Sequence, residues 1–465
     1  MYDAIIIGAG VSGLTAAWKL KREGASTLVL EERSFSGGNI RTIERDGFRM
    51  EAGPNSFMGS SEYVWRLIEE LNMEALTEEA APVANNRYIY RNGRLLPLPL
   101  GPMQFLFTPL LSFKAKLRLM LEPFIPNGSK PLDTAWEFFV RRFGREAATY
   151  IMAPFVSGVY AGDIKMLGAR AAFPKFHAFE REAGSMILGA IGYMRAKRKR
   201  LQREGKKIRR GLYSFKGGLG LLTKRLAKEL GEALICDAPA LKIMASGGGY
   251  TVKTAKGDFS ARSIICAAPP DKAAPIIGGL SETAAKTLLQ LPMSPVTLIH
   301  WNSDESGERI PKGFGFLMPR ESGFRVLGTL FPSQLFSGRA PEGRTLLSSF
   351  YGGMLDKTAL SLSDHEHKKL LASEHQKLFG LGENDIKPIE IIRYPSAIPQ
   401  LLPEHPEKIA SVKAELASSP GFFLAGNYLA GVGIEQAVES GYAAFESCRA
   451  FLAAQKPEAK ELDER

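Results

Sequence analysis

The stretch that decides the fold is residues 2–38, YDAIIIGAGVSGLTAAWKLKREGASTLVLEERSFSGG. It opens on a continuous apolar run, the pattern of a strand buried on both faces. SGLTAAWKLKREG then reads as a helix with Gly24 where its C-terminal cap belongs, and STLVLEE as a second strand. Between the first strand and the helix lies Gly8-Ala9-Gly10-Val11-Ser12-Gly13. Gly8 allows the tight turn and Gly10 lets the backbone approach a pyrophosphate. Gly13 lets the helix pack closely on the strand, and the helix N-terminus faces the phosphates. Such a glycine turn is weak evidence alone. Here it follows a strand, opens a helix, and is followed 18 residues after Gly13 by Glu31 at the end of the second strand. With Glu32 next to it, Glu31 can accept from ribose hydroxyls. This βαβ unit predicts a doubly wound α/β domain that binds a dinucleotide.

Working outward, the rest of that domain is scattered along the chain. SFKGGLGLLTKRLAKEL (214–230) reads as a turn and helix, and ARSIICAAPP (261–270) as a buried strand. GFFLAGNYLAGVGIEQAVESGYAAFESCRAFLAA (421–454) reads as strand, glycine loop and long helix. Between Pro292 and Pro395, segments such as PVTLIHW, GFGFLMP, FRVLGTLF and RTLLSSFYGG predict a mostly antiparallel sheet. Residues 100–211 mix large apolar residues with Pro and Lys and read as a helical insertion. The resulting partition is a dinucleotide domain in three pieces (1–80, 212–285, 405–454), a substrate domain in two (81–99, 286–404), the insertion, and a flexible tail at 455–465. The fold class is thus α/β, with a discontinuous Rossmann-like domain, an antiparallel-sheet substrate domain and a helical insertion. A chain of 465 residues is long enough for several such units.

Composition removes several function classes. The three cysteines are far apart, so a disulfide framework or zinc site is not expected, and the usage points to a reducing, cytoplasmic compartment. No secretory signal is read in MYDAIIIGAG, and no run reaches the about 20 apolar residues of a membrane span. The net charge is +11, and +9 of it lies in RAKRKRLQREGKKIRR (195–210). That run lacks interleaved aromatics, so no nucleic acid is expected. Two readings of it stand, a solvated loop or a contact with anionic lipid, because the apolar SMILGAIGYM directly precedes it. No metal site is assigned: Asp364-His365-Glu366-His367 is read as a solvated helix surface, since residues two apart do not share a helix face.

A second glycine pair, Gly37-Gly38 with Asn39, extends the pyrophosphate cradle. The loop Ala425-Gly426-Asn427, then Gly431-Val432-Gly433-Ile434, offers a second helix N-terminus suited to the electron-rich end of a flavin. This combination resembles the FAD-dependent amine oxidases, polyene desaturases and porphyrinogen oxidases. Phe35 departs from that pattern, where many members carry a basic residue. Further stretches are similar to the porphyrinogen oxidase branch: Phe48–Phe57, Asn86–Tyr90, Gly158-Val159-Tyr160-Ala161-Gly162-Asp163, Leu327–Leu330 with Arg339–Arg344, and Ile398-Pro399-Gln400. The resemblance covers nearly the whole chain.

The resemblance implies FAD as cofactor, with Gly53, Pro54, Asn55 and Ser56 in a loop under the isoalloxazine. It adds Ala240 as a backbone contact to adenine, and Asn427, Val432, Gly433 and Ile434 at the flavin end. It implies Arg87 as the partner of a substrate propionate, and Leu317, Leu330 and Phe350 as apolar contacts to the macrocycle. No general base is assigned. The implied reaction is the six-electron oxidation of protoporphyrinogen IX to protoporphyrin IX, with dioxygen as acceptor and hydrogen peroxide as product. The sibling reaction on coproporphyrinogen III, an amine oxidase or polyene desaturase, and a flavin-binding module without turnover stay open. So do monomer and homodimer.

Overall fold

The protein is described by a computed structural model covering residues 1–205, 209–303 and 309–455. The predicted tail beyond Gln455 lies outside the described residues. Two seven-stranded sheets organise the chain. In the first, strands Tyr2–Ile7, Thr27–Leu30 and Leu234–Ile235 run parallel. Gly257–Cys266 is the branch point. Its first half pairs antiparallel with Gly249–Thr254, and its second half pairs parallel with Tyr2–Ile7 on one side and Phe422–Leu424 on the other. Ala4–Ile7, Thr27–Leu30 and Ser263–Cys266 are all buried, as a sheet covered on both faces requires.

One face carries helices Val11–Arg22, Glu62–Glu70, Gly220–Leu230 and Ile434–Ala454. The other carries Pro270–Ile277, Glu282–Leu289 and His405–Leu416. The first and last long helices are tied across the whole sequence by Ser12 Oγ, which donates to the Ala437 carbonyl at 2.7 Å.

The second sheet runs in the order Lys387–Pro399, Met293–Ser303, Thr345–Gly352, Val326–Leu330, Gly315–Leu317, Arg87–Arg91, Arg94–Pro97. All neighbours are antiparallel except Gly315–Leu317 beside Arg87–Arg91, which is parallel. Asn92 and Gly93, both at positive φ, make the tight turn of the hairpin that Arg87 opens. Helix Asp364–Phe379 covers the back of this sheet, with Leu371, Ala372 and Phe379 packed against Trp301, Phe316 and Tyr351. This corrects the reading of the helix as solvated surface in part: His365 is exposed as expected, but two other histidines are not. His367 and His375 are fully buried, and His375 reaches the hydroxyls of Thr329 and Ser349 at 3.1 and 3.2 Å.

Residues 102–203 form a mostly helical block, from Pro102–Phe107 to Met186–Arg203. Their anchor is a buried ion cluster in which Arg142 meets Glu122 and Glu180. Glu122 also accepts from Ser185 Oγ and from the N–H of Met186, so it caps the last helix of the block. The basic run therefore does not start as a loop: Arg195–Arg203 continue that helix. Lys197 and Arg200 fold against Glu62, and Arg209 against Glu69 and the Trp65 ring. Residues 206–208 lie outside the described residues. No helix among the described residues is long and apolar enough to cross a membrane.

Candidate flavin and substrate site

The first glycine turn is built as its spacing predicts. Gly8 sits at φ +99°, and a Cβ on Gly13 would fall 2.0 Å from the Gly8 carbonyl oxygen. A Cβ on Gly10, by contrast, would meet no protein atom within 4 Å. Gly13 is closed by packing, and Gly10 faces space. Gly37 and Gly38 turn back onto this loop: the Gly37 N–H donates to the Ala9 carbonyl at 2.8 Å, and Gly38 abuts Gly10. The Glu31 carboxylate holds the cradle from below, accepting from the Ala9 N–H at 2.7 Å and the Arg33 N–H at 3.0 Å. Glu32 lies outside and pairs with Lys272. Ala240 opens the strand Ala240–Ser246, two residues beyond the Ala238 N–H that bonds the Glu31 carbonyl.

Gly10 and Gly433 are the N-caps of Val11–Arg22 and Ile434–Ala454, and neither gives a side-chain cap to its helix. Two long helices thus leave their first N–H groups for an external acceptor. Ala9, Val11, Ser12, Val432, Ile434 and Asn427 sit around these two termini. Two cations stand beside Phe35, the position where many family members carry a basic residue. The Phe35 ring lies 4.0 Å from the Arg41 guanidinium and 5.8 Å from that of Arg33. Neither arginine has an acidic partner among the described residues. Arg41 was not singled out from the sequence, although its place after the second glycine pair was a usable signal.

The loop after strand Phe48–Glu51 lies between the two sheets. Gly53 packs on the Asn39 carbonyl, and the Ala52 N–H donates to the Arg41 carbonyl at 2.8 Å. The buried Asn55 reaches back to the Gly53 carbonyl at 3.4 Å, with Pro54 and Ser56 half-buried around it. Glu51 is joined to Arg339 at 2.5 Å, to the Leu219 N–H and to Thr42 Oγ1, while Arg339 also donates to Ser214 Oγ. Burial pushes the Glu51 carboxyl up, against the pull of Arg339. This buried pair links segments 288 residues apart and was missed from sequence, as were the sheet residues that reach the same loop.

On the second sheet the register brings four expected residues to one face. Arg87 pairs with Gly315, Gly315 with Leu330, Leu317 with Gly328, and Gly328 with Phe350. Cross-strand partners share a face, so Arg87, Leu317, Leu330 and Phe350 all point away from the helix Asp364–Phe379. All three apolar side chains are half-buried. Leu317 is set against Gly158, where an added Cβ would come within 2.3 Å of its Cδ2. The segment Gly158–Asp163 is pinned opposite that face. Tyr160 O accepts from Gln400 Nε2 at 2.8 Å and from Ser294 Oγ at 3.2 Å, and Ala161 O from the Met354 N–H at 2.8 Å. Arg87 is exposed at the sheet's end, over the Phe314 ring at 5.1 Å, with no acidic partner among the described residues. Desolvation by its surroundings lowers its pKa.

A dinucleotide cradle whose second helix terminus and junction loop lead to an apolar sheet face defines a flavin-dependent oxidoreductase. Residues 11–446 match the model of the flavin-containing amine oxidoreductases, and the chain belongs to that family. It is an FAD-dependent oxidase. Chloroplastic protoporphyrinogen oxidase of Nicotiana tabacum is 32% identical, over 97% of this chain and 86% of that protein. Coproporphyrinogen III oxidase of Bacillus subtilis (strain 168) is 28% identical, over 96% and 98%. A solved structure from Exiguobacterium sp. 255-15, assigned as a protoporphyrinogen oxidase, superposes with TM-score 0.80 at 25% identity, covering 97% of this chain and 99% of that one.

Proposed function

We propose that this protein oxidises protoporphyrinogen IX to protoporphyrin IX for haem synthesis, with dioxygen as acceptor and hydrogen peroxide as product. The observation that carries the reading is the common sheet face on which Arg87, a cation without an acidic partner, ends a row of Leu317, Leu330 and Phe350. A porphyrinogen is a broad, mostly apolar disc with carboxylates on one edge, and this face offers it the matching chemistry. The names of the similar proteins support the same substrate class.

FAD, when bound along the glycine cradle, supplies the two-electron acceptor chemistry. The chain's own residues do the rest. Arg87 fixes the acidic edge as a charge-assisted partner, Leu317, Leu330 and Phe350 hold the ring system flat, and the pinned Gly158–Asp163 segment closes the opposite side. Three rounds remove six electrons and six protons, reducing three dioxygen molecules to hydrogen peroxide.

The sibling substrate, coproporphyrinogen III, carries four propionates and calls for more cations. On strands Arg87–Arg91, Gly315–Leu317, Val326–Leu330 and Thr345–Gly352 the other arginine, Arg91, is already paired with Glu146, which favours the less acidic substrate. The test is incubation of the FAD-loaded protein with each porphyrinogen in air, following porphyrin fluorescence and peroxide. Faster turnover of coproporphyrinogen would reverse the choice, and turnover of neither would remove the substrate class.

We also infer peripheral attachment to an anionic membrane through the helical block. Apolar side chains there stand in solvent, among them Phe107 at 77%, Phe113 at 80% and Phe124 at 81% exposure. Segments 105–111 and 186–194, the apolar stretches of the block, contribute only in part. Leu110, Leu111 and Met186 are buried inside the block, leaving Leu106, Phe107, Leu188, Ile191 and Met194 outward.

A further inference from the structure

The segment Glu51–Ser56 lies between the two sheets, and two of its successive carbonyls are held by the second. Tyr394, on strand Lys387–Pro399, donates its hydroxyl to the Ala52 carbonyl at 2.5 Å. His300, on strand Met293–Ser303, reaches the Glu51 carbonyl through Nε2 at 3.2 Å and Ser348 Oγ through Nδ1 at 2.8 Å. A carbonyl can only accept, so Nε2 carries the proton and Nδ1 accepts from the serine hydroxyl. Burial holds His300 near a pKa of about 4, which keeps that neutral tautomer in place across the physiological range. The imidazole is fully buried, and so is Ser348, two residues from Phe350 on the same strand and face.

These contacts fix more than the loop's position. Within a trans peptide the C=O and the following N–H point in opposite directions. Turning the Glu51 and Ala52 carbonyls toward the sheet turns the N–H groups of Ala52 and Gly53 away from it. The first is taken by the Arg41 carbonyl beside the glycine cradle. The Gly53 N–H has no acceptor among the described residues. It is left as a donor beside Asn39, the residue that follows the second glycine pair of the cradle.

We propose that His300 and Tyr394 are positioning residues that set the Gly53 N–H against the flavin ring, coupling the face that holds the substrate to the group that oxidises it. The inference rests on the reading of Gly53, Pro54, Asn55 and Ser56 as the loop under the flavin. A hydrogen bond to the ring favours its more electron-rich state, so the aim of this donor tunes the flavin's potential.

The experiment uses the FAD-loaded protein and three variants: Tyr394→Phe, His300→Leu, and His300→Gln, which keeps a side-chain N–H able to donate to the Glu51 carbonyl. Tyr394→Phe and His300→Leu should each shift the flavin's visible absorption and its midpoint potential. They should lower kcat about tenfold or more with KM little changed, as a small misplacement at the reacting centre does. His300→Gln should return most of the wild-type spectrum and rate. Should His300→Leu fail to fold, Tyr394→Phe decides alone, since it removes one oxygen and keeps the ring. A folded Tyr394→Phe protein with unchanged spectrum and potential overturns the proposal, as does a loss of thermal stability without a spectral change. Spectrum and potential need no substrate. Shifted spectra in a protein that oxidises no porphyrinogen would leave this inference standing and sink the substrate reading.

Discussion

Gly10 and Gly13 belong to one motif and should fail in different ways when substituted. A Cβ at Gly13 would overlap the Gly8 carbonyl oxygen, so Gly13→Ala must spread the first strand from its helix. That protein should lose both thermal stability and flavin. At Gly10 the protein offers open space, so Gly10→Val should keep the melting temperature of the flavin-free fold and lose the yellow colour. Full FAD occupancy in Gly10→Val, read from the flavin-to-protein absorbance ratio, would remove this turn from the cofactor site. Arg87→Ala removes a charge-assisted contact worth about 1.5–3 kcal/mol, so KM for a porphyrinogen should rise roughly 10- to 150-fold with kcat little changed. Unchanged kinetics would make Arg87 a surface residue. The glycines were legible because the turn and its acid stand within one short stretch, and Arg87 only through the family resemblance. Arg339, His300 and Tyr394 were not: each matters through a partner at residues 51–52, and that proximity exists only after the two sheets close on one another.

At the scale of elements, strands were read correctly where alternation or a continuous apolar run is strong, and the helix Asp364–Phe379 shows where such reading stops. Its buried stripe is His367, Leu371, His375 and Phe379, four residues apart each time. Two polar members break the apolar pattern, so the helix read as solvated throughout. The cost of burying them appears in their protonation. Burial holds the pKa of His375, and of His300 on the sheet it covers, down to about 4. In the unfolded chain a histidine titrates near about 6.5. The folded values are depressed, so the unfolded state binds more protons between pH about 4 and 6.5. Their stability contribution is therefore complete above about 6.5 and is lost as pH falls through that window, by up to about 1.4 kcal/mol per pH unit for each histidine. Urea midpoints measured from pH 7 to 4.5 should fall accordingly, and His375→Gln should flatten the slope. A slope that His375→Gln leaves unaltered would remove His375 from the acid sensitivity and leave it to His300 and other groups.

Over the whole molecule, exposed apolar surface is distributed unevenly. Among the described residues, seventeen of the twenty-three large apolar side chains left in solvent lie between Leu100 and Met194. That concentration marks the helical block, because exposed apolar surface of this kind on a folded protein ordinarily meets another apolar phase. In the membrane attachment proposed above, the helix Met186–Arg203 is the element that would meet the lipid. Leu188, Ile191, Arg195, Arg198 and Lys199 recur at three- and four-residue spacing and so lie along one side, apolar in the first half and basic in the second. Lys197 and Arg200, on another side, are spent on Glu62, while Arg195, Arg198 and Lys199 are exposed and have no acidic partner among the described residues. Such a helix fits a bilayer it enters at a slant, with its apolar half below the headgroups and its cations level with anionic lipid, each contributing about 1 kcal/mol before screening. A poorly soluble substrate would be collected there. The protein should float with anionic vesicles at low salt, less at high salt, and weakly with neutral ones. Replacing Arg195, Arg198 and Lys199 together by Glu should abolish flotation while leaving the Lys197–Glu62 contact and the flavin content intact. If the wild-type protein stays at the bottom of the gradient with every lipid composition, the apolar face is not a lipid surface, and the basic helix is only a solvated one.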